Sequence, residues 1–409
     1  MLGMPHRYKV SRSAHSRDFY QGRCRAGRRV ALSRTATTAL YLAAMILSFL
    51  PLHAQDQVAA SASEKMRTGD FAGAEQLWRQ LAKTHPNDAV VHGNLGVALA
   101  QQGKLPMAVA EYRQSLEIKP EQPDVEANLG IAEFKQGHFQ NAIVALKRVE
   151  KARPGDPRST ILIGMSYFGL REYANASQFL TKAVQSSPSN LELRNVLAQS
   201  CLWSHQYDCA LTQFQSILAV NPEAVQAHML LAQALDGMGK TDEATKELEE
   251  TARTSPKEPV LHFELGFLYY KQGDYDRASS ELRAEIANNP GYAQSYLYLG
   301  DIALRTNDDT SAQELLQKAL QLQPGSRLAH FDLGCIYVNQ KRNEDAVEAF
   351  QRAIQLDPSQ PDAHYRLARV YSAMGQKEKA AQELAKTKEL HKKTDDTLIE
   401  KISGGQTSQ

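Results

Sequence analysis

Four cysteines in 409 residues, two tryptophans and no C-x-x-C pair leave the chain poor in the residues that build zinc ribbons or redox centres. H-E-x-x-H, G-x-S-x-G and P-loop patterns are absent, as is G-x-G-x-x-G in a strand setting, and the chemistries that need those spacings go with them. Paired carboxylates such as Glu249-Glu250 and Asp308-Asp309 fall on polar helix or turn surfaces and read as solvation. The apolar run from Ala39 to Leu50 has 12 residues, short of the roughly 20 that span a membrane comfortably. No catalytic, cofactor-binding or metal-ligating residue is assigned.

What the chain does have is a period. Ala74, Ala108, Ala142, Ala176, Ala210, Ala244, Ala278, Ala312, Ala346 and Ala380 stand 34 residues apart without a slip. Pro86, Pro120, Pro154, Pro188, Pro222, Pro256, Pro290, Pro324 and Pro358 keep the same step. A fixed period of this length signals a solenoid of stacked units, and such arrays offer long surfaces for binding. With residue 55 as position 1, ten units cover 55–394: 55–88, 89–122, 123–156, 157–190, 191–224, 225–258, 259–292, 293–326, 327–360 and 361–394.

Each unit reads as a helical hairpin. In the seventh, Leu261, Leu265, Leu268 and Tyr269 follow one helical face and Ala278, Leu282 and Ile286 another, with the turn signal Gln272-Gly273-Asp274 between them. Position 8 is always Gly or Ala and position 20 always Ala, which predicts a close helix crossing where an added methylene costs ~1–3 kcal/mol. Position 24 supplies the large partner, from Trp78 and Tyr112 through Leu146, Leu180, Phe214, Leu248, Leu282, Leu316 and Phe350 to Leu384. Each is expected to be buried, contributing roughly 1.5–3 kcal/mol. The proline at position 32 ends the second helix.

Small residue at 8, Tyr-like at 11, Ala at 20, large apolar at 24 and Pro at 32 together resemble the tetratricopeptide repeat. The resemblance covers 340 of 409 residues. It implies an all-α fold, an α–α superhelix whose first helices line a concave groove. Unit one departs with Ser61 and Ala62, unit ten with Lys392 in place of proline, as capping units do.

Carried over from that resemblance, positions 2, 5, 6, 9, 12 and 13 face the groove. Units two and three present Asn94, Asn128 and Phe134. Asn94 and Asn128 sit where the repeats of the nucleocytoplasmic O-linked N-acetylglucosamine transferase carry an asparagine ladder that grips peptide backbone. Units four to six present Ile161, Leu162, Met165, Phe168, Trp203 and Met229. Units seven to ten present Phe263, Phe267, Tyr270, Tyr298, Arg366 and Arg369. The alternative is that position 5 packs between neighbouring first helices. No lysine occupies position 5, unlike the carboxylate clamp of heat-shock chaperone repeats.

Cys201 and Cys209 lie on the two helices of unit five, a spacing that resembles the intra-repeat bridges of secreted Sel1-like repeat proteins. Either they form a disulfide or Cys201 fills the usual aromatic slot as a small apolar residue. Cys335 reads as a half-buried filler. His92, His228, His262, His330 and His364 recur at position 4; units about 10 Å apart cannot share an ion with bonds of ~2 Å, so these histidines read as packing residues.

Residues 1–34 carry nine Lys and Arg against one acid, Asp18. With the apolar run and Ala54 they read as a leader, 1–54, containing a secretory signal cleaved after Ala54. An uncleaved signal anchor and a mitochondrial presequence are the alternatives. The whole chain holds 47 Lys and Arg against 46 Asp and Glu; without the leader 38 face 45, a net −7. That argues against nucleic acid as partner. The tail, 395–409, is expected to form a short capping helix and a frayed end.

The functional expectation is a non-catalytic scaffold in the periplasm or cell envelope, or secreted, holding a peptide or helical segment in its groove. It would touch a membrane only through an uncleaved leader. The alternatives are a regulatory partner of a separate, O-linked-glycosyltransferase-like enzyme and an array associated with glycan or polysaccharide export.

Overall fold

The structure is a computed structural model that describes the backbone of residues 56–404 and the side chains of 56–393. The expected leader and the last residues of the tail lie outside the described residues. Twenty helices follow in order: α1 (56–67), α2 (Phe71–Thr84), α3 (Ala89–Gln101), α4 (Leu105–Ile118), α5 (Pro123–Lys135), α6 (Phe139–Ala152), α7 (Pro157–Gly169) and α8 (Tyr173–Ser186). Next come α9 (Leu191–Trp203), α10 (Tyr207–Leu218), α11 (Val225–Gly237), α12 (Thr241–Thr254), α13 (Leu261–Gln272) and α14 (Tyr275–Asn288). The last are α15 (Ala293–Arg305), α16 (Asp309–Leu322), α17 (Arg327–Asn339), α18 (Asn343–Leu356), α19 (Pro361–Ala373) and α20 (Lys377–Gly404). No strand occurs among the described residues. One compact unit ends at Pro86 and holds α1–α2; a second begins at Asn87 and holds α3–α20.

Local chemistry sets the helix ends. Asp156, Asn190 and Ser326 cap first helices by accepting from the N–H of Ser159, Leu193 and Ala329, and Asp274 and Asp308 cap second helices. These side chains satisfy amides that the first helical turn leaves open. Pro123, Pro157 and Pro361 open their helices at the position where a missing N–H matters least. The position-32 prolines follow the second helices by two or more residues, because the residue before proline is pushed out of the helical region.

Within each hairpin the crossing is as tight as the small residues demand. A Cβ on Gly96 would lie 2.5 Å from the Tyr112 ring, one on Gly130 2.6 Å from Leu146, and one on Gly334 2.6 Å from Phe350. Position 8 therefore opposes position 24 directly. Nine of the ten position-24 side chains are buried, from Trp78 to Phe350. Leu384, on α20, is the exception at 41% exposed.

The hairpin turns share a feature that the residue pattern conceals. Position 15 is left-handed in all ten, with φ between 59° and 83°. Six of these residues are glycine; Arg171, His205, Asn307 and Lys341 occupy the other four, where a side chain costs roughly 1–3 kcal/mol. The position-4 histidines also do more than pack. Nδ1 of His92, His262 and His364 donates to Glu111, Glu281 and Glu383 at 2.6 Å, and His228 pairs likewise with Glu247. Each pair ties the two helices of a hairpin across 19 residues. His330 has Ala349 at the corresponding place and only its Nε2 near the Pro324 carbonyl at 3.4 Å, a contact that His228 and His262 make in addition to their glutamate pair.

α20 does not break into a repeat helix and a separate cap. It runs unbroken for 28 residues, because Lys392, unlike proline, keeps the N–H and lacks the ring that would stop it.

In the second unit every helix packs on its sequence neighbours. First helices of successive hairpins also approach each other, with α11 and α13 joined by Lys271–Asp236 at 2.6 Å and Gln233–Glu264 at 3.4 Å, and they do so more extensively than successive second helices. The first helices therefore line the inner side of the curve. α13 begins two residues late, after Val260 in the left-handed region, whose N–H donates to Glu285.

Candidate binding groove

The candidate groove residues fall on α5, α7, α9, α11, α13, α15 and α19, with Asn94 on α3, in three stretches. Asn94 on α3 and Asn128 on α5 are half-buried. Phe134 contacts Phe139 at 5.7 Å. The Phe139 ring lies over Gly169, where a Cβ would come within 2.5 Å of it.

Ile161, Leu162, Met165 and Phe168 are half-buried against the core. Phe168, Tyr173 and Trp203 form one aromatic group, with centroids 5.6 Å apart for Phe168–Trp203 and 4.9 Å for Tyr173–Trp203. Trp203 keeps 42% of its surface exposed. Cys201 and Cys209 are joined by a disulfide, which closes the α9–α10 turn that carries Trp203.

Two expected groove residues belong to the wall instead. Met229 and Phe263 are buried; both sit at position 5, which faces the neighbouring first helix. Phe263 nevertheless anchors the third stretch. It stacks with Phe267 at 6.1 Å and meets Tyr292 and Tyr298 edge-on or tilted at 4.9 and 5.8 Å. Phe267, Tyr270 and Tyr298, all half-buried, continue the row at 5.1–5.2 Å around Tyr298. Aromatic contacts of this geometry add to the stabilisation from burial alone.

Charge is threaded through that row. The Tyr270 hydroxyl donates to Asp301 at 2.5 Å, and Arg305 Nε donates to the same oxygen at 2.6 Å. Burial, then the Asp301 carboxylate, pushes the Tyr270 phenol well above its ordinary value. Arg327 reaches Asp362 through both terminal nitrogens. Asp332, between these pairs, is 3% exposed and its Oδ2 has no hydrogen-bond partner. Burial first and Asp301 second push its carboxyl up to about 7. Burial likewise pushes the half-buried Cys335 thiol up to about 11, the opposite of an activated nucleophile. Arg366 and Arg369 are exposed on α19.

Sequence reasoning missed the Asp332 vacancy in pairing and the seat under Trp203. The first needs knowledge of which neighbours are already engaged. The second had a partial signal, since Tyr173 and Tyr207 share position 17 and Trp203 stands at position 13, where Gly169 and Gly237 stand in neighbouring units. Among the described residues no cluster of ligating side chains suited to a metal occurs, and no helix is long and apolar enough to cross a membrane. Other concavities, of about 360 to 640 Å³, open among second helices and linkers.

A family model described as TPR repeat matches residues 334–375, and models described as tetratricopeptide repeat match 60–123, 204–262, 263–327 and 362–394. The model for anaphase-promoting complex, cyclosome, subunit 3 matches 135–217. No curated protein matches the chain in sequence. Similar solved structures include MamA 41-end from Desulfovibrio magneticus RS-1, at 24% identity and TM-score 0.39, covering 42% of this chain and 97% of that one. A tetratricopeptide repeat protein from Parabacteroides merdae matches at 18% identity and TM-score 0.38, covering 58% and 94%. The APC/C hetero-tetramer Cut9-Hcn1 matches at 14% identity and TM-score 0.42, covering 82% and 81%.

Proposed function

The chain belongs to the tetratricopeptide repeat family, and from that premise we propose that it is an exported scaffold holding a segment of a partner protein along its first helices. Arrays of this family generally bind proteins and are in general not catalysts. The observation that carries the reading is the half-buried row Phe267–Tyr270–Tyr298 on the inner face. It continues towards the exposed arginines of α19. Aromatic and arginine side chains at a partly desolvated surface are the usual anchors of protein interfaces.

Export to the periplasm, the cell envelope or beyond rests on the basic, apolar leader and is supported by the Cys201–Cys209 bridge, since disulfides persist in oxidising compartments. The mature protein is expected to begin at Gln55.

Arg366→Glu/Arg369→Glu tests the groove. Both side chains are exposed, so the fold should survive. Capture of the partner from the native source, quantified against wild type, should fall at least tenfold, the effect of losing ~1.4 kcal/mol or more of interface free energy. Undiminished capture would place the interface elsewhere.

A further inference from the structure

The acidity of the chain after the leader is local. Residues 191–292, the fifth to seventh hairpins, hold 15 Asp and Glu against 8 Lys and Arg, a net −7. The rest of the chain after residue 54 is therefore balanced, because the total over 55–409 is also −7. At the start of this acidic stretch an open concavity of about 480 Å³ lies where α8, α9, α10 and α11 meet. Tyr173, Trp203, Tyr207, Gln233, Asp236 and Gly237 are among the residues that line it.

Its construction follows from the repeat. In neighbouring hairpins position 13 is glycine, and the position-17 ring of the preceding hairpin lies over it, as Phe139 does over Gly169 and Tyr207 over Gly237. In the fifth hairpin position 13 is Trp203. Its indole cannot share that space with Tyr173, so it meets that ring at 4.9 Å, tilted by 54°, and keeps 42% of its surface exposed. Leu202, Trp203, His205 and Tyr207 all lie inside the loop closed by the Cys201–Cys209 bridge. The Tyr207 hydroxyl and His205 Nδ1 are 2.7 Å apart, which holds the loop's tip. The exposed indole is therefore held in place before any ligand arrives.

Asp236 is the carboxylate of this lining. Asp236 accepts from Lys271 at 2.6 Å and from the Thr241 hydroxyl at 2.9 Å. Glu264 stands nearby, linked to Gln233 at 3.4 Å, and burial together with Asp236 raises its carboxyl above the ordinary range. Asp208 adds a further acid within the bridged loop. Lys271 is thus the cation paired with Asp236, in an acidic stretch beside an indole that keeps 42% of its surface exposed.

We infer that this seat takes an arginine side chain from the partner segment held in the groove, its guanidinium stacked on Trp203 and its charge answered by Asp236 and its acidic surroundings. Arginine fits better than lysine because its plane stacks on an aromatic face and it sheds water more easily. The inference rests on the groove-binding reading and names what the partner must carry.

The test uses the full chain and three probes: a short extended peptide with arginine between apolar residues, the same peptide with citrulline for arginine, and maltohexaose. Citrulline keeps the planar shape and removes the charge. Because Trp78 is buried at 3% exposed, emission changes report on Trp203. The arginine peptide should quench that emission and bind about tenfold tighter than the citrulline peptide. Trp203→Leu and Asp236→Asn should each abolish the difference. Asp236 also anchors Lys271 and Thr241, so the leucine variant is the one that keeps the test valid if the asparagine variant unfolds. Equal affinity for the two peptides, a preference that survives Trp203→Leu, or binding of maltohexaose alone would overturn the inference. If Trp203→Leu loses the arginine preference's basis without effect while a photo-crosslinker at Tyr298 still captures the partner, the seat is wrong and the groove reading stands. If that capture fails as well, the groove reading falls.

Discussion

Asp332→Asn is expected to raise the unfolding free energy by roughly 2–4 kcal/mol at about pH 8 and to change it little at about pH 4. Asp332 lies on α17 with 3% of its surface exposed, and Oδ2 has no partner. The two nearest cations are engaged, Arg305 with Asp301 and Arg327 with Asp362. Burial and the Asp301 charge push its carboxyl up to about 7, from an ordinary value near 4 in the unfolded chain.

Below about pH 4 both states hold the proton, and the group carries no penalty. Between about 4 and 7 the unfolded chain releases it while the folded chain retains it, so stability falls as pH rises. Above about 7 the folded state buries an unpaired charge and the full difference, up to ~4 kcal/mol, counts against folding. Relaxation of the groove reduces that figure, hence the lower bound. Asparagine cannot ionise, and a buried amide costs less than a buried charge. Urea unfolding of both proteins at several pH values should show the gap widening from pH 4 to pH 8. A gap independent of pH, or a variant less stable at pH 8, would contradict the assignment.

The second large effect belongs to the bridge. Cys201→Ala/Cys209→Ala opens the Cys201–Cys209 loop, and the chain-entropy model assigns so short a loop ~2–3 kcal/mol. In a stacked array each hairpin touches only its neighbours, so the loss should be local. Amides of α9 and α10 are expected to exchange roughly 30- to 150-fold faster, the equivalent of that free energy. Those of α17–α20 should be unaffected. Uniform acceleration along the whole array would mean that the hairpins unfold as one block, and no acceleration would mean that the bridge constrains nothing the packing does not.

How far the residues alone disclose this molecule varies with the kind of interaction. The ladders at positions 8, 20 and 24 disclose the hairpin crossing, because a glycine under Tyr112 or Phe350 is a steric requirement with a residue-type signature. The left-handed turn at position 15 is hidden, since Arg171, His205, Asn307 and Lys341 break the glycine pattern that would reveal it. The histidine–glutamate ties were readable in principle: wherever His pairs, Glu stands 19 residues on, and His330 lacks one. They were obscured because a histidine at a packing position is also compatible with packing alone.

The groove is less legible than the core. Met229 and Phe263 share their type with surface anchors, and only the approach of neighbouring first helices decides that they are buried. Trp203 and Asp332 owe their states to what their neighbours already hold. One is turned out because Tyr173 occupies its seat, the other is unpaired because both arginines are taken. Such properties belong to the arrangement of several side chains and leave no spacing in the sequence.

The first helices, not the second, are expected to meet the partner. Photo-crosslinking from single positions in the assembled complex tests it most directly, with a benzophenone amino acid at Tyr298 on α15, at Arg366 on α19 and at Glu250 on α12. Crosslinks to the same partner segment from Tyr298 and Arg366, and none from Glu250, are predicted. Crosslinks from Glu250 alone would contradict the claim.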